Sequence, residues 1–279
     1  MSQFQISAFS DEYADSFQEQ LEALKRFRIA YVELRMVNGK NLSLCSSEEI
    51  SEMKRLLDDY GIGVSAIGSP LGKIHLDEDL NAHYALAEHV LDAANRLGAK
   101  FIRIFSFYPS RGKEIAEQKG EVIEALSRLL ILAEKHGVVL CHENEAEIYG
   151  STPERCRALL DEFGGALGCV FDMGNFVLEG VNPFEAYQML KDYVSYFHVK
   201  DALFTGAIVP PGKGEAEILK ILNAHREYSK EDFFVTLEPH LQLKGQLQTL
   251  VGRAFENPYQ YGDAKSAFED AVIQFRKLI

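Results

Sequence analysis

Short apolar runs alternate with longer mixed segments along the whole chain of 279 residues. Runs rich in β-branched and aromatic residues, flanked by glycine, proline or polar turn residues, predict buried strands. Eight such runs occur, and a segment with helix signals follows each of them. The predicted strands cover residues 4–10, 30–35, 63–68, 101–107, 138–145, 169–175, 194–201 and 233–240.

Several predicted helices have recognisable end signals. Ser46 and Glu49 match a capping box at the start of the second helix. Gly98 suits the left-handed position beyond the end of the third helix. A capping side chain followed by proline opens two later helices, at Thr152-Pro153 and Asn182-Pro183. Further helices are expected at about 15–27, 214–225 and 263–278.

The order of these elements predicts the fold class. Strands that alternate with helices pair in parallel through right-handed crossovers, which places the chain among α/β proteins. Eight units in a chain of this length favour closure into one (β/α)8 TIM barrel, a single domain over residues 1–279. An open, doubly wound sheet remains the alternative. The first strand-to-helix turn, residues 9–13, lacks a glycine-rich fingerprint, so a dinucleotide-binding fold has little support.

The four later strands each run from apolar residues into a metal-capable side chain. Glu143, Asp172, His198 and Glu238 stand near the last residues of those strands. A single acid at a strand end is usually a solvated loop residue or a helix cap. Four in successive strands, at the barrel end where active sites form, instead predict one shared site. Three carboxylates and one imidazole suit Mn²⁺, Mg²⁺ or Co²⁺ better than a closed structural zinc site.

Charge and composition limit the kinds of partner that this protein is expected to bind. The formal net charge is −13, with 29 basic and 42 acidic residues and no basic stripe, so nucleic acid is a poor partner. The first residues do not resemble a signal peptide, and no apolar stretch reaches the roughly 18 residues of a membrane span. The four cysteines form no Cys-x-x-Cys pair. A cytoplasmic protein with reduced thiols and no membrane association is expected, and a homo-oligomer is left open.

A family resemblance arises from five strand-end motifs. They are His142-Glu143-Asn144, Phe171-Asp172-x-Gly174-Asn175, Phe197-His198-Val-Lys200-Asp201, Pro211-Gly-Lys-Gly-Glu215 and Leu237-Glu238-Pro239. This series resembles the xylose isomerase-like barrel superfamily, and within it the sugar isomerases and epimerases, including ketose 3-epimerases and inosose dehydratases. The resemblance spans nearly the whole chain, but it does not identify a substrate.

The resemblance implies a metal site and a proton-transfer mechanism. Glu143, Asp172, His198 and Glu238 would hold a divalent ion, Mn²⁺ first and Mg²⁺, Co²⁺ or Zn²⁺ as alternatives. Glu143 and Glu238 would also exchange protons with a carbohydrate substrate through an enediolate. The expected substrate-binding residues are Asn175, Lys200, Glu33, Arg35 and His240, although Glu33 and Arg35 fit a structural ion pair equally well.

Other readings of the same residues stay open. Ketose epimerases and inosose dehydratases usually carry a substrate-binding histidine three residues after the aspartate, and this chain has Asn175. Dehydration on the same site is the first alternative, followed by an abasic-site endonuclease and a sugar-binding barrel without catalysis. The turn Gly212-Lys213-Gly214 lacks the spacing of a phosphate-binding P-loop, so phosphorylation of the substrate is left open. Residues 241–262 are expected to cover the barrel mouth or to contact a partner subunit.

Overall fold

Eight parallel strands form a closed barrel in this computed structural model. The structure describes residues 2–245 and 257–279, together with the backbone of 249–250 and 253–254. Around the barrel the strands follow the order β1-β8-β7-β6-β5-β4-β3-β2, so the predicted (β/α)8 TIM barrel is confirmed. The strands are β1 Phe4–Ala8, β2 Tyr31–Leu34, β3 Gly63–Gly68, β4 Phe101–Ile104, β5 Val139–Glu143, β6 Leu167–Asp172, β7 Val194–Val199 and β8 Phe233–Leu237.

Helices connect consecutive strands and cover the outside of the barrel. They are α1 Phe17–Arg26, α2 Ser47–Tyr60, α3 Leu80–Leu97, α4 Lys119–His136, α5 Pro153–Phe163, α6 Met173–Leu178, α7 Pro183–Leu190, α8 Ile218–Tyr228 and α9 Ala264–Leu278. The expected end signals are present. Ser46 and Glu49 form both hydrogen bonds of a capping box, and Gly98 ends α3 with φ of 77°.

The barrel strands end earlier than the apolar runs suggested. Residues 105–107 continue the apolar run of β4, yet their amide groups leave the barrel ladder. Phe105 N–H donates to the Leu71 carbonyl and Phe107 N–H to the Gly72 carbonyl, both at 2.8 Å. The run after β4 therefore pairs with the loop after β3, because hydrophobicity marks burial and does not specify which backbone partner a residue takes.

The segment after β6 differs most from the prediction. Residues 173–175 were expected to extend the strand, but they begin α6. Asp172 Oδ1 accepts the N–H of Asn175 at 2.8 Å, so this aspartate caps the helix directly at the strand end. The connection consequently contains two helices, α6 and the predicted α7 at Pro183.

The barrel interior is filled below the predicted ligand residues. Ala66, Cys141, Val170 and Tyr196 form a buried cluster with Phe101 and other partly buried side chains. Cys141 and Tyr196 stand two residues before Glu143 and His198 on the same strand faces. The polar side chains above them therefore face the carboxyl end of the barrel, where these folds place their sites.

The structure describes the long connection before α9 at its two ends and, between them, only the backbone of 249–250 and 253–254. Tyr261 N–H donates to the Gln242 carbonyl at 3.0 Å, and Lys244 N–H donates to the Tyr261 carbonyl at 2.9 Å. The expectation that residues 241–262 cover the barrel mouth falls partly on 246–248, 251–252 and 255–256, which lie outside the described residues. Within the described part of the chain, no helix is long and apolar enough to span a membrane.

The close contact between α6 and the end of β7 gives a first prediction. A Cβ on Gly174, the second residue of α6, would lie 2.7 Å from Lys200 Cβ and 2.8 Å from the Lys200 carbonyl oxygen. Gly174→Ala should therefore lower the free energy of unfolding by about 1–3 kcal/mol. Gly120, the second residue of α4, has nothing within 4 Å of such a Cβ. Gly120→Ala should instead gain about 0.4–1 kcal/mol. Urea unfolding of both variants checks this, and equal effects would contradict the packing argument.

Candidate metal centre

Four neighbouring strands bring the predicted ligand residues together. Glu143 and Asp172 end β5 and β6, His198 is next to last in β7, and Glu238 directly follows β8. One potential ligand atom from each residue lies within 4.8 Å of those of the other three. All four residues are buried, with at most 2% of their surface exposed. The geometry thus places three carboxylates and one imidazole around a common point.

His198 is the centre of this group. Its Nδ1 lies 2.8 Å from Glu143 Oε1 and 3.1 Å from Glu238 Oε2, while Nε2 lies 3.1 Å from Glu33 Oε2. Burial by itself would lower the pKa of His198. The three surrounding carboxylates outweigh burial and raise the pKa well above its usual value, because they favour positive charge on the ring.

Glu33 lies behind His198 and not at the barrel mouth. One of its oxygens faces His198 Nε2, and the other accepts the hydroxyl of Tyr196 at 3.0 Å. The Glu33 side chain has no exposed surface. A carboxylate that binds the far nitrogen of a metal-ligating histidine fixes the ring and its tautomer. The structure therefore gives Glu33 the environment of a residue that orients His198.

Each of the two predicted catalytic glutamates is also held by an arginine. Glu143 Oε2 accepts from Arg103 Nη1 at 2.6 Å, and Glu238 Oε1 accepts from Arg35 Nη1 at 3.0 Å. The other oxygen of each glutamate is left facing His198 Nδ1. Burial favours a higher pKa for Glu143, but His198 and Arg103 outweigh it and lower the pKa below the ordinary value.

Arg35 belongs to a second polar group beside the cluster. Its Nε donates to Asp11 Oδ2 at 2.9 Å, and its Nη2 lies 3.3 Å from Glu12 Oε1. His240 completes the group. Its ring atom Nε2 lies 3.3 Å from Arg35 Nη1, and its backbone N–H donates to Glu12 Oε2 at 2.8 Å. Because Glu33 turns toward His198, Glu33 and Arg35 do not form the ion pair that was the alternative to substrate contact.

Lys200 links Asp172 to Asn175. Its Nζ donates to Asp172 Oδ2 and to Asn175 Oδ1, both at 2.9 Å, and lies 3.6 Å from Glu238 Oε2. Burial raises the pKa of Asp172 to about 7, although the charge of Lys200 opposes that rise. Asn175 donates its amide to the Asn144 carbonyl at 2.8 Å, so its orientation is fixed from both ends.

Sequence reasoning missed several residues of this site. Arg103 stood in the sequence as a lone charge inside an apolar run, which is a usable signal for a buried ion pair. Asn144 joins β5 to β6: its Oδ1 accepts the Asp172 N–H at 2.9 Å and its Nδ2 donates to the Asp172 carbonyl at 3.0 Å. Asp11 and Glu12 carried no comparable signal, because loop acids are common in any acidic chain.

The residues present fit a divalent cation. Within the described part of the chain, no donor forms a hydrogen bond with the buried Glu238 Oε2. The cluster around His198 and the polar group around Arg35 together contain six carboxyl groups and three permanent cations. The carboxyl groups are those of Asp11, Glu12, Glu33, Glu143, Asp172 and Glu238, and the cations are Arg35, Arg103 and Lys200. Buried negative charge of this kind is costly unless a cation compensates it. Oxygen-rich ligands with one imidazole suit Mn²⁺ or Mg²⁺, and also accept Zn²⁺.

Comparison with known proteins supports the fold assignment. No match was found among curated proteins. Solved structures with the same fold include the 3-keto-D-glucoside 4-epimerase YcjR from E. coli, with 14% identity, a TM-score of 0.72 and coverage of 99% of this chain and 100% of that one. The IolI protein with a bound zinc atom has 15% identity, a TM-score of 0.73 and coverage of 99% and 98%.

A xylose isomerase-like TIM barrel protein from Mycobacterium smegmatis in complex with magnesium has 17% identity, a TM-score of 0.69 and coverage of 100% of this chain and 97% of that one. Identities this low establish a shared fold and leave the reaction undetermined. The model of one family covers most of the sequence, from residue 21 to residue 248. This chain therefore belongs to the xylose isomerase-like TIM barrel family.

Proposed function

We propose that this protein is a divalent-metal-dependent isomerase or epimerase of a sugar, a sugar phosphate or a cyclitol. The observation that carries the proposal is the arrangement around His198 Nδ1. Glu143 Oε1 lies 2.8 Å from this nitrogen and Glu238 Oε2 lies 3.1 Å from it. Glu143 ends β5 and Glu238 directly follows β8, so the two oxygens approach from opposite sides of β7. Two carboxylates that face one point can remove a proton and return it at a different position or face.

The metal and the two glutamates would have different roles in the reaction. A bound divalent ion would withdraw electron density from a carbonyl and so ease loss of the proton on the neighbouring carbon. One glutamate, Glu143 or Glu238, would take that proton and leave the substrate as an enediolate, and the same or the other glutamate would return a proton to it. Arg103 and Arg35 hold the outer oxygens of these glutamates, so the inner oxygens keep a fixed direction.

Other residues would orient the substrate. Lys200 and Arg103 are buried beside the glutamates, and Arg103 Nε has no acceptor among the described residues. A donor left without a partner in such a place suits a substrate oxygen. Asn175 would hold Lys200 in position. For Glu33 we propose orientation of His198 in place of substrate contact, and His240 would contact the substrate from the far side of Glu238.

Dehydration on the same site is the second candidate, and Asn175 counts against it. A dehydratase needs an acid that protonates the departing hydroxyl. Asn175 is a neutral amide, and its oxygen accepts from Lys200 while its nitrogen donates to the Asn144 carbonyl. An amide in that position cannot deliver a proton at neutral pH. Ketose epimerases usually carry a histidine at this position as well, but isomerisation and epimerisation have no departing hydroxyl to protonate and therefore fit the two glutamates better.

Metal dependence is the first test. Chelation should lower the melting temperature, because the buried carboxylates then repel one another, and Mn²⁺ or Co²⁺ should restore it. A metal concentration 100 times the dissociation constant stabilises by about 2.7 kcal/mol, or roughly 5–10 °C here. Glu238→Gln should lose most of the shift. Glu145→Gln is the matched control, since Glu145 is partly exposed and pairs with Lys73. No stabilisation by any divalent ion would contradict the metal centre.

Proton transfer is tested in D2O with the metal-loaded protein. Turnover of a ketose, an aldose or an inosose should place deuterium on the carbon next to the carbonyl, as followed by NMR. Glu143→Gln and Glu238→Gln should each lower the rate by roughly 10²- to 10⁴-fold, because each removes a basic oxygen. Metal occupancy must be measured in both variants. Full activity of Glu238→Gln with metal bound would exclude the two-glutamate mechanism.

The role of Glu33 is tested through metal affinity. Glu33→Gln should weaken metal binding by about 10- to 100-fold, because His198 then faces a neutral amide in place of the charged carboxylate that fixes its ring. Tyr196→Phe removes only the hydroxyl that donates to Glu33 and should have a smaller effect. Calorimetric titration with Mn²⁺ measures both. Unchanged affinity in Glu33→Gln would mean that the carboxylate does not orient the ligand.

A further inference from the structure

A groove of about 520 Å³ lies beside the ligand cluster. It is bounded by the loops after β1 and β8 and by the start of α9. Its polar end contains Glu12 and His240, and His240 Nε2 lies 3.5 Å from Glu238 Oε1. Leu241, Leu243 and Phe268 form its apolar side. The groove is therefore a direct extension of the site and is larger than the four-ligand cluster needs.

The glycine-rich turn after β7 offers no free amide groups to an anion. Asp201 Oδ2 accepts the N–H groups of Gly212 and Gly214 at 2.8 and 2.9 Å, and Oδ1 accepts those of Ala202 and Ala216 at 3.0 Å. The remaining amides of the turn, those of residues 213 and 215, bind backbone carbonyls. The carboxylate of Asp201 thus occupies the place that a phosphate would need.

The basic side chains nearest the site are also paired. Arg35 binds Asp11, Glu12 and Glu238. The other three cations each bind a carboxylate: Arg103 that of Glu143, Lys200 that of Asp172 and Lys73 that of Glu145. Arg103 Nε has no acceptor within the described residues, but a phosphate bound there would lie beside the Glu143 carboxylate; at the other cations it would displace a carboxylate or lie among the acids of the groove. Each arrangement costs electrostatic free energy.

We propose that the site takes an uncharged ketose or cyclitol and rejects the corresponding phosphate, and that the groove holds the end of the substrate remote from the reacting carbons. This inference rests on the proposed function and narrows its substrate class. Hydroxyl groups can bind Glu12 and His240 without carrying charge, and the carbon face of a sugar packs well against Leu241 and Phe268.

Matched substrate pairs test the charge preference. The Mn²⁺-loaded protein is given D-fructose or D-fructose 6-phosphate, and D-ribulose or D-ribulose 5-phosphate, with an inosose as a further neutral probe. Deuterium exchange is followed in D2O. At least one neutral member should exceed its phosphate by about 100-fold or more in kcat/KM. A phosphate that reacts as well as its neutral partner overturns this inference and leaves the proposed function standing. No exchange with any probe, while metal is bound, overturns the proposed function and this inference with it.

A groove-filling variant tests the second half of the inference. Ala264 lines the groove at the first turn of α9 and is half-buried. Ala264→Phe should raise KM for the neutral substrate at least about fivefold and leave kcat nearly unchanged, because the substituent blocks binding and not chemistry. Ile273→Phe, on the exposed face of the same helix, is the control and should match the unmodified protein. An unchanged KM in Ala264→Phe overturns the assignment of the groove.

The acidic end of the groove is tested with Glu12→Gln. This change removes the carboxyl group that binds Arg35 and leaves Arg35 more available to a phosphate, so the preference for the neutral member of a pair should fall by about 3- to 10-fold. Glu185→Gln, an exposed acid at the start of α7, should leave the preference unchanged. An unaltered preference in Glu12→Gln would show that the groove acids do not exclude phosphate.

Discussion

The contact between His198 and three buried carboxylates is the interaction on which the rest of the site depends. Glu143 and Glu238 approach Nδ1, and Glu33 approaches Nε2. An imidazole in such surroundings is stabilised only with added positive charge, supplied by a proton or by a metal at Nδ1. Glu33 and Tyr196 then hold the ring in place from behind. This arrangement favours a positive charge at the end of the barrel even without a substrate.

The packed interior of the barrel holds these polar side chains in fixed positions. The apolar cluster of Ala66, Cys141, Val170 and Tyr196 fills the interior below, so the polar side chains are held in a rigid, water-poor setting. In that setting a carboxylate without a partner is costly, and each acid of the site has a specific one. Arg103 and Arg35 restrain the two glutamates, while Lys200 restrains Asp172. Such preorganisation is what proton transfer between fixed groups requires.

The carboxylates in and around the site also affect which substrate the site can bind. The carboxylate of Asp201 accepts the amide groups of the glycine-rich turn after β7, and Asp11 and Glu12 give the groove an acidic end. The same negative potential that draws a divalent ion to the cluster opposes a phosphate in the groove. The proposed metal binding and the proposed preference for a neutral substrate thus have one electrostatic origin.

The sequence by itself determined the architecture and the four residues that cluster at the end of the barrel. Eight alternating units predicted the closed barrel, and strand-end position with side-chain parity placed Glu143, Asp172, His198 and Glu238 on one end of it. These features are local, so periodicity and end signals report them. The partners were not predictable in this way. Glu33 lies in β2 and Arg35 directly follows that strand, yet Glu33 turns to His198 across the barrel and Arg35 turns to Asp11, Glu12 and Glu238. Arg103 pairs with Glu143, 40 residues away, and the carboxylate of Asp201 binds the amide groups of the turn at 212–216. Only the tertiary structure decided these contacts, because each depends on distances between strands and loops that no local pattern encodes.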